Sequence, residues 1–194
     1  GITATMLIGA TTYVSTGSAN AAVFASAVMS VIPAHIMRSV GGGFDNESVA
    51  ISALCLTFMF WTYSLSGKDA NKPSYLGGIL TGLAYICMVA SWGGYIFVCN
   101  VIALHAFVLV LLGRYSTKLY WAYTLWYLIG TTGAIQVPVV GLTPLKSLEQ
   151  MAPLAVFFGM QGLQFCELSF VLKAFGVKNP SKVTNFQRIK VRAV

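Results

Sequence analysis

The chain has 194 residues, of which 57% are hydrophobic and 9% charged, with a formal net charge of +7 and a mean hydropathy of +0.76. Soluble domains carry roughly 25% charged residues, so the composition excludes an ordinary soluble domain and points to a polytopic membrane protein. The basic excess would suit a nucleic-acid partner, but its distribution along the chain argues for membrane topology instead, and no nucleic-acid partner is expected.

Taken in chain order, 3–13 reads as the end of one apolar span. The runs 18–36, 47–65, 75–91, 95–112, 119–134 and 151–173 reach or nearly reach the ~20 residues that a spanning helix needs. This predicts six spans and a partial seventh, all helical, because an open sheet edge cannot be satisfied in lipid. The expected fold class is all-α, a polytopic transmembrane helical bundle over 1–173, followed by a basic linker, 174–194. The chain opens at Gly1 inside an apolar run, with no basic segment and cleavage site of a signal peptide, and is expected to be a fragment of a larger protein.

Alternating the spans places Lys68, Lys72, Arg114, Lys118, Lys173, Lys178, Lys182, Arg188, Lys190 and Arg192 on one face of the membrane and only Arg38 and Lys146 on the other. Positive charge collects on the cytoplasmic side, so the loops 37–46, 92–94 and 135–150 are expected to be extracytoplasmic, and 174–194 cytoplasmic. The loop 135–150 carries Val137, Val139, Val140 and Leu142 beside Pro138, Pro144, Lys146 and Glu149, a composition suited to lying along the membrane interface.

Few residues offer chemistry. Cys55, Cys87, Cys99 and Cys166 each lie in an apolar run without metal-ligand spacing and read as small membrane or core residues. His35 and His105 have no acidic neighbour at ligand spacing and read as helix-packing or interfacial residues. The exception is the loop Arg38-Ser39-Val40-Gly41-Gly42-Gly43-Phe44-Asp45-Asn46-Glu47, which gathers one of four arginines and two of five acidic residues. Charge near hydrocarbon is expensive, so these groups are the functional candidates. Two readings stand side by side. Asp45 and Glu47 can serve as N-cap and first-turn acid of the next helix, with Arg38 reaching head groups. Alternatively, the two carboxylates take part in holding a hard cation, Mg²⁺ or Mn²⁺, with the Arg38 guanidinium meeting a phosphate that the metal also touches.

That loop, followed by Trp92-Gly93-Gly94-Tyr95-Ile96-Phe97, Leu104-His105, Leu112-Gly113-Arg114-Tyr115-Ser116, the residues Gln136, Val137, Pro138, Val140, Gly141 and Pro144, and Glu149-Gln150-Met151-Ala152, resembles the catalytic subunit of the eukaryotic oligosaccharyltransferase in order and spacing. The resemblance implies an endoplasmic reticulum membrane enzyme with a thirteen-span domain. Such an enzyme transfers a preassembled oligosaccharide from dolichyl pyrophosphate to the Asn of Asn-x-Ser/Thr in an acceptor polypeptide, with inversion, beside membrane lipid and other oligosaccharyltransferase subunits. It places the family's second acidic motif on Asp45 and Glu47, as ligands of Mn²⁺ or Mg²⁺. It places a catalytic arginine near the lipid pyrophosphate on Arg38, and a residue that reaches the lipid phosphate on Tyr95.

Asn46 is not expected to be a ligand. Asn46-Glu47-Ser48 is itself a sequon, expected to stay unmodified because it lies against the membrane within the site. The family's other acidic motif, its flexible-loop glutamate and its peptide-binding Trp-Trp-Asp motif do not occur in this chain, so the chain alone is expected to be inactive. Two rivals are a different polyprenyl-phosphate glycosyltransferase and a transporter of an anionic substrate. Transport sites sit near the bilayer midplane, whereas these charges sit at a boundary.

Overall fold

The computed structural model describes residues 1–42, 45–67 and 72–166. Among them the chain is all-α, as the apolar runs predict, with no strand. The helices are α1 (Ile2–Thr16), α2 (Ala19–Val31), α3 (Pro33–Met37), α4 (Asn46–Leu65), α5 (Tyr75–Ser91), α6 (Tyr95–Leu111), α7 (Thr117–Gln136), α8 (Thr143–Lys146) and α9 (Met151–Cys166), with a 3-10 turn at Leu148–Gln150 before α9. The linker 174–194 and the end of the run 151–173 lie outside the described residues.

Local chemistry sets the helix ends. Ser18 caps α2 by accepting from the Ala21 N–H, and Ser116 caps α7 by accepting from the Leu119 N–H at 3.2 Å. The expected single helix over 18–36 is corrected by Pro33. Proline has no N–H to donate into the preceding turn, and its ring excludes the α region for the residue before it. Ile32 is accordingly extended (φ −64°, ψ 120°), α2 stops at Val31 and α3 starts afresh at Pro33. The loop 135–150 likewise holds helical pieces of its own, α8 and the 3-10 turn.

By length and composition α4, with 20 residues, is the one described helix able to cross a membrane; α2, α5 and α6 are apolar but shorter. Helix α7 is as long as α4 but carries Lys118, Tyr123, Trp126 and Tyr127, and it buries all four. Helix α5 packs against both α4 and α7, α1 lies against α2 and α4, and α6 meets α9. Small residues let backbones approach in lipid, where helix association cannot rest on the hydrophobic effect. A Cβ on Gly78 of α5 would fall 2.9 Å from the Ala122 carbonyl oxygen of α7, and one on Gly82 would fall 2.9 Å from Ile129 Cβ.

The core is aromatic. Trp126 has ring centroids of Tyr123 at 5.2 Å, Tyr85 at 5.7 Å, and Trp61 and Tyr127 at 6.2 Å. Tilted and edge-on pairs of this kind contribute about 0.5–1.5 kcal/mol each beyond the area they bury. Two buried threonine hydroxyls are satisfied within their own helices, Thr57 donating to the Ala53 carbonyl and Thr81 to the Gly77 carbonyl, whereas Tyr123 donates across to the Pro153 carbonyl of α9. The outer surface carries large apolar side chains such as Val23, Phe24, Phe97 and Leu104, suited to lipid contact.

The connections collect at two ends of the bundle. Lys118 donates to the carbonyls of Ser66 and Gly67, which joins the α6–α7 and α4–α5 connections at one end. At the other, Asn46 donates to the Ser91 carbonyl and Gln150 to the Tyr95 hydroxyl. This second end holds Arg38, Asp45, Glu47 and Tyr95.

Candidate active site at the start of helix α4

The site is built where the chain leaves α3 and enters α4. Arg38 is the C-cap of α3. The turn that follows passes through Gly42 at φ 90°, a conformation in which an L side chain is strained by roughly 1–2 kcal/mol, which gives one of the three glycines its reason. Asp45 is extended (φ −135°, ψ 174°) and is the N-cap of α4; its Oδ1 accepts from the Asn46 N–H at 2.7 Å, and its carbonyl accepts from the Ser48 N–H at 3.0 Å. Glu47 belongs to the first turn of α4, as the run 47–65 and the first-turn reading expect.

Arg38 and Glu47 form an ion pair, Nη1 to Oε2 at 2.6 Å, with side chains 54% and 28% exposed. A pair this open to solvent contributes only about 0–1 kcal/mol. Its value is positional. It draws the arginine back across the glycine turn onto the acidic end of α4, and the buried Ser48 hydroxyl donates to the Arg38 carbonyl in the same sense. The structure therefore brings three of the four expected site residues together, with Asp45 as the N-cap and Glu47 as a first-turn acid paired to Arg38. These contacts do not consume the acids: the Asp45 cap uses one carboxylate oxygen, and the Glu47 ion pair likewise uses one.

Tyr95 opens α6 at the same end of the bundle but is 5% exposed. Its hydroxyl accepts from Gln150 Nε2 at 3.1 Å, with Thr143 Oγ1 at 3.5 Å, and its ring meets Tyr85 edge-on. In this state the hydroxyl ties α6 to the 143–150 segment. Asn100 adds a second tie to that segment, donating to the Glu149 carbonyl at 2.8 Å.

Two members of this architecture carry no catalytic signal in the sequence. Asn46, read as a non-ligand, donates its amide to the Ser91 carbonyl at 3.0 Å, fastening the start of α4 to the end of α5 beside the Trp92-Gly93-Gly94 turn. Ser48 holds Arg38. A polar residue in the first turn of an otherwise apolar helix is the one available hint for each. His35 places Nε2 3.2 Å from the Gly1 carbonyl, and His105 Nδ1 accepts from the Trp61 indole N–H at 3.0 Å; both act in packing. Cys55, Cys87 and Cys99 are free thiols, as their scattered positions imply.

The donor set suits a hard divalent cation in kind, since both acids present carboxylate oxygens. It is a partial set: among the described residues no group of three or more His, Cys, Asp and Glu is gathered to hold an ion.

Among the described residues an all-helical, apolar bundle with an arginine and two acids gathered at one end defines a membrane-type helical protein. The family described as oligosaccharyl transferase STT3, N-terminal, matches residues 5–193, and the chain belongs to it. It is similar to the dolichyl-diphosphooligosaccharide–protein glycosyltransferase subunit STT3 of Saccharomyces cerevisiae, 45% identical over 147 residues, covering 76% of this chain and 20% of that protein. It is likewise similar to the corresponding subunits of Schizosaccharomyces pombe, 46% identical over 141 residues (73% of this chain, 18% of that protein), and Dictyostelium discoideum, 39% identical over 154 residues (78% and 21%). The chain spans about a fifth of the length of these curated relatives.

Proposed function

We propose that the chain supplies the lipid-pyrophosphate side of an oligosaccharyltransferase active site. The enzyme transfers a preassembled oligosaccharide from a dolichyl pyrophosphate donor to the Asn of Asn-x-Ser/Thr in an acceptor polypeptide, at the lumenal face of the endoplasmic reticulum membrane and within a complex of further subunits. The function for which its relatives are named supports the reaction class. The observation that carries the assignment of residues is the Arg38–Glu47 pair beside the Asp45 cap, a cation and two acids fixed at one end of an apolar bundle.

Asp45 and Glu47 would hold Mn²⁺ or Mg²⁺ through carboxylate oxygens, with further ligands from outside the described residues. When bound, such an ion supplies Lewis-acid stabilisation of charge developing on a pyrophosphate leaving group, worth several kcal/mol. Arg38 contributes independently. One of its five N–H donors is shown on Glu47, and that exposed pair is weak enough to be exchanged for a phosphate. The planar fork then grips two phosphate oxygens and neutralises the leaving group as its bond to the sugar breaks. Ser48 and Asn46 hold the two flanks of the turn in place for that contact. Tyr95 is buried, its hydroxyl accepting from Gln150 and keeping its own O–H to donate, whereas Arg38 is half exposed, so Arg38 bears the larger share of donor binding.

The test is Arg38→Lys in the complete, assembled enzyme. Lysine keeps the charge and can reach head groups equally well, but it lacks the fork. Expression and membrane insertion are expected to be preserved, turnover of the lipid-linked donor to fall, and the KM for acceptor peptide to stay unchanged. Transfer at the wild-type rate would reject the phosphate role and leave Arg38 as a helix anchor.

A further inference from the structure

The end of the bundle opposite the Arg38 site holds a cavity of about 800 Å³ between the ends of α1, α4 and α6 and the start of α7. Lys118 and Arg114 line it, with His105 nearby and a wall that includes Leu65, Leu109 and Leu119; none of the lining residues is acidic.

Lys118 is 9% exposed, and its ammonium donates to two neutral carbonyls, Ser66 at 2.7 Å and Gly67 at 3.4 Å. These bonds complement the carbonyl-rich end of α4 but do not neutralise the charge. Among the described residues Lys118 has no anionic partner. A buried ammonium without a counter-charge is costly and calls for one, and its third N–H remains to be given. Arg114, exposed at the rim, adds a second positive group. His105 Nδ1 accepts from the Trp61 indole, so the neutral ring carries its proton on Nε2 and is a third donor. Basic pockets between helices on the cytoplasmic side of a membrane take anionic head groups, and the charge distribution of the chain assigns this end to that side. Apolar walls below a cationic rim fit a molecule with a phosphate head and hydrocarbon tails.

We infer that this cavity binds the phosphate head group of an anionic phospholipid of the cytoplasmic leaflet, with Lys118 and Arg114 as counter-charges and acyl chains along Leu65 and Leu109. The inference does not rest on the glycan-transfer reading, because it concerns the opposite face of the membrane.

The experiment uses the complete enzyme in nanodiscs doped with a phosphatidylinositol or a phosphatidylcholine probe, each bearing a photoreactive acyl chain, with adducts mapped by peptide mass spectrometry. The anionic probe is expected to label peptides containing Leu65 and Leu109 more strongly than the neutral one. Arg114→Gln is expected to lower that labelling about fivefold, the effect of removing about 1 kcal/mol of attraction per basic residue. Millimolar inorganic phosphate should leave labelling unchanged. Equal labelling by both probes, or undiminished labelling in Arg114→Gln, would overturn the inference; the first result also follows if Asp69, outside the described residues, is the counter-ion. Loss of labelling in phosphate would assign the cavity to a soluble phosphorylated ligand and overturn the lipid assignment.

Discussion

At the scale of single residues, the acidic motif of this chain is engaged in local structure through one oxygen of each carboxylate. Asp45 caps α4 and Glu47 pairs with Arg38, yet each retains carboxylate capacity for a ligand. Both readings of these acids were legible in the sequence, because an acid before and inside a first turn is a local pattern. The Arg38–Glu47 contact was not, because it closes through a glycine turn whose path no periodicity encodes. Ser48 shows how that turn is held. Removing its hydroxyl in Ser48→Ala leaves the Arg38 carbonyl without its donor and is expected to cost about 1 kcal/mol, read as a lowered thermal midpoint of the complete enzyme with a slower transfer rate. An unchanged midpoint and rate would show that the turn holds without Ser48. Asn46 leads to a separate expectation. Its side-chain nitrogen is already committed to Ser91, so this sequon should carry no glycan, and a glycosylated Asn46 peptide found by mass spectrometry would contradict that geometry.

Among the elements, the apolar runs announced most helices with ends close to those observed, since length and composition decide whether a run can be a buried helix. Two features escaped that logic. Pro33 divides the expected 18–36 helix, because a single missing donor and a restricted predecessor outweigh apolar continuity. Gly78 and Gly82 lie four apart on α5 and mark its contact with α7, a spacing that composition conceals. Their role is steric. Gly78→Leu, which pushes against the Ala122 backbone, is expected to destabilise the bundle by about 1–3 kcal/mol. Gly159→Ala in α9 has open space around it and is expected to be neutral or to gain about 0.5–1 kcal/mol. Thermal unfolding in detergent compares the two, and equal midpoints would refute the close-packed α5–α7 contact.

For the molecule as a whole, the charge asymmetry predicted which connections share an end, and the hydrogen bonds of Lys118 at one end and of Asn46 and Gln150 at the other agree with that grouping. Which end faces the lumen is a separate matter, tested with an impermeant thiol reagent on Gly41→Cys in a cysteine-free background. Gly41 is preferred to its neighbour because Gly42 has a positive φ and would strain a cysteine. Labelling of microsomes is expected only after the membrane is opened; labelling of sealed, cytoplasm-out vesicles would reverse the assignment. Two acids on one turn are too few for the roughly six or more oxygen ligands of a hard divalent cation, so a metal shell is not legible in this stretch of sequence.

The central claim, that the start of α4 serves metal-assisted departure of a lipid pyrophosphate, is tested most directly by transfer activity of the complete enzyme against Mn²⁺ concentration for wild type, Asp45→Ala and Glu47→Ala. Loss of the cap alone costs about 1 kcal/mol of stability and leaves metal dependence unchanged. A metal role predicts that Asp45→Ala abolishes most transfer at every Mn²⁺ concentration and that Glu47→Ala shifts the curve to higher Mn²⁺, with partial recovery at saturation. Wild-type curves for both variants would contradict it.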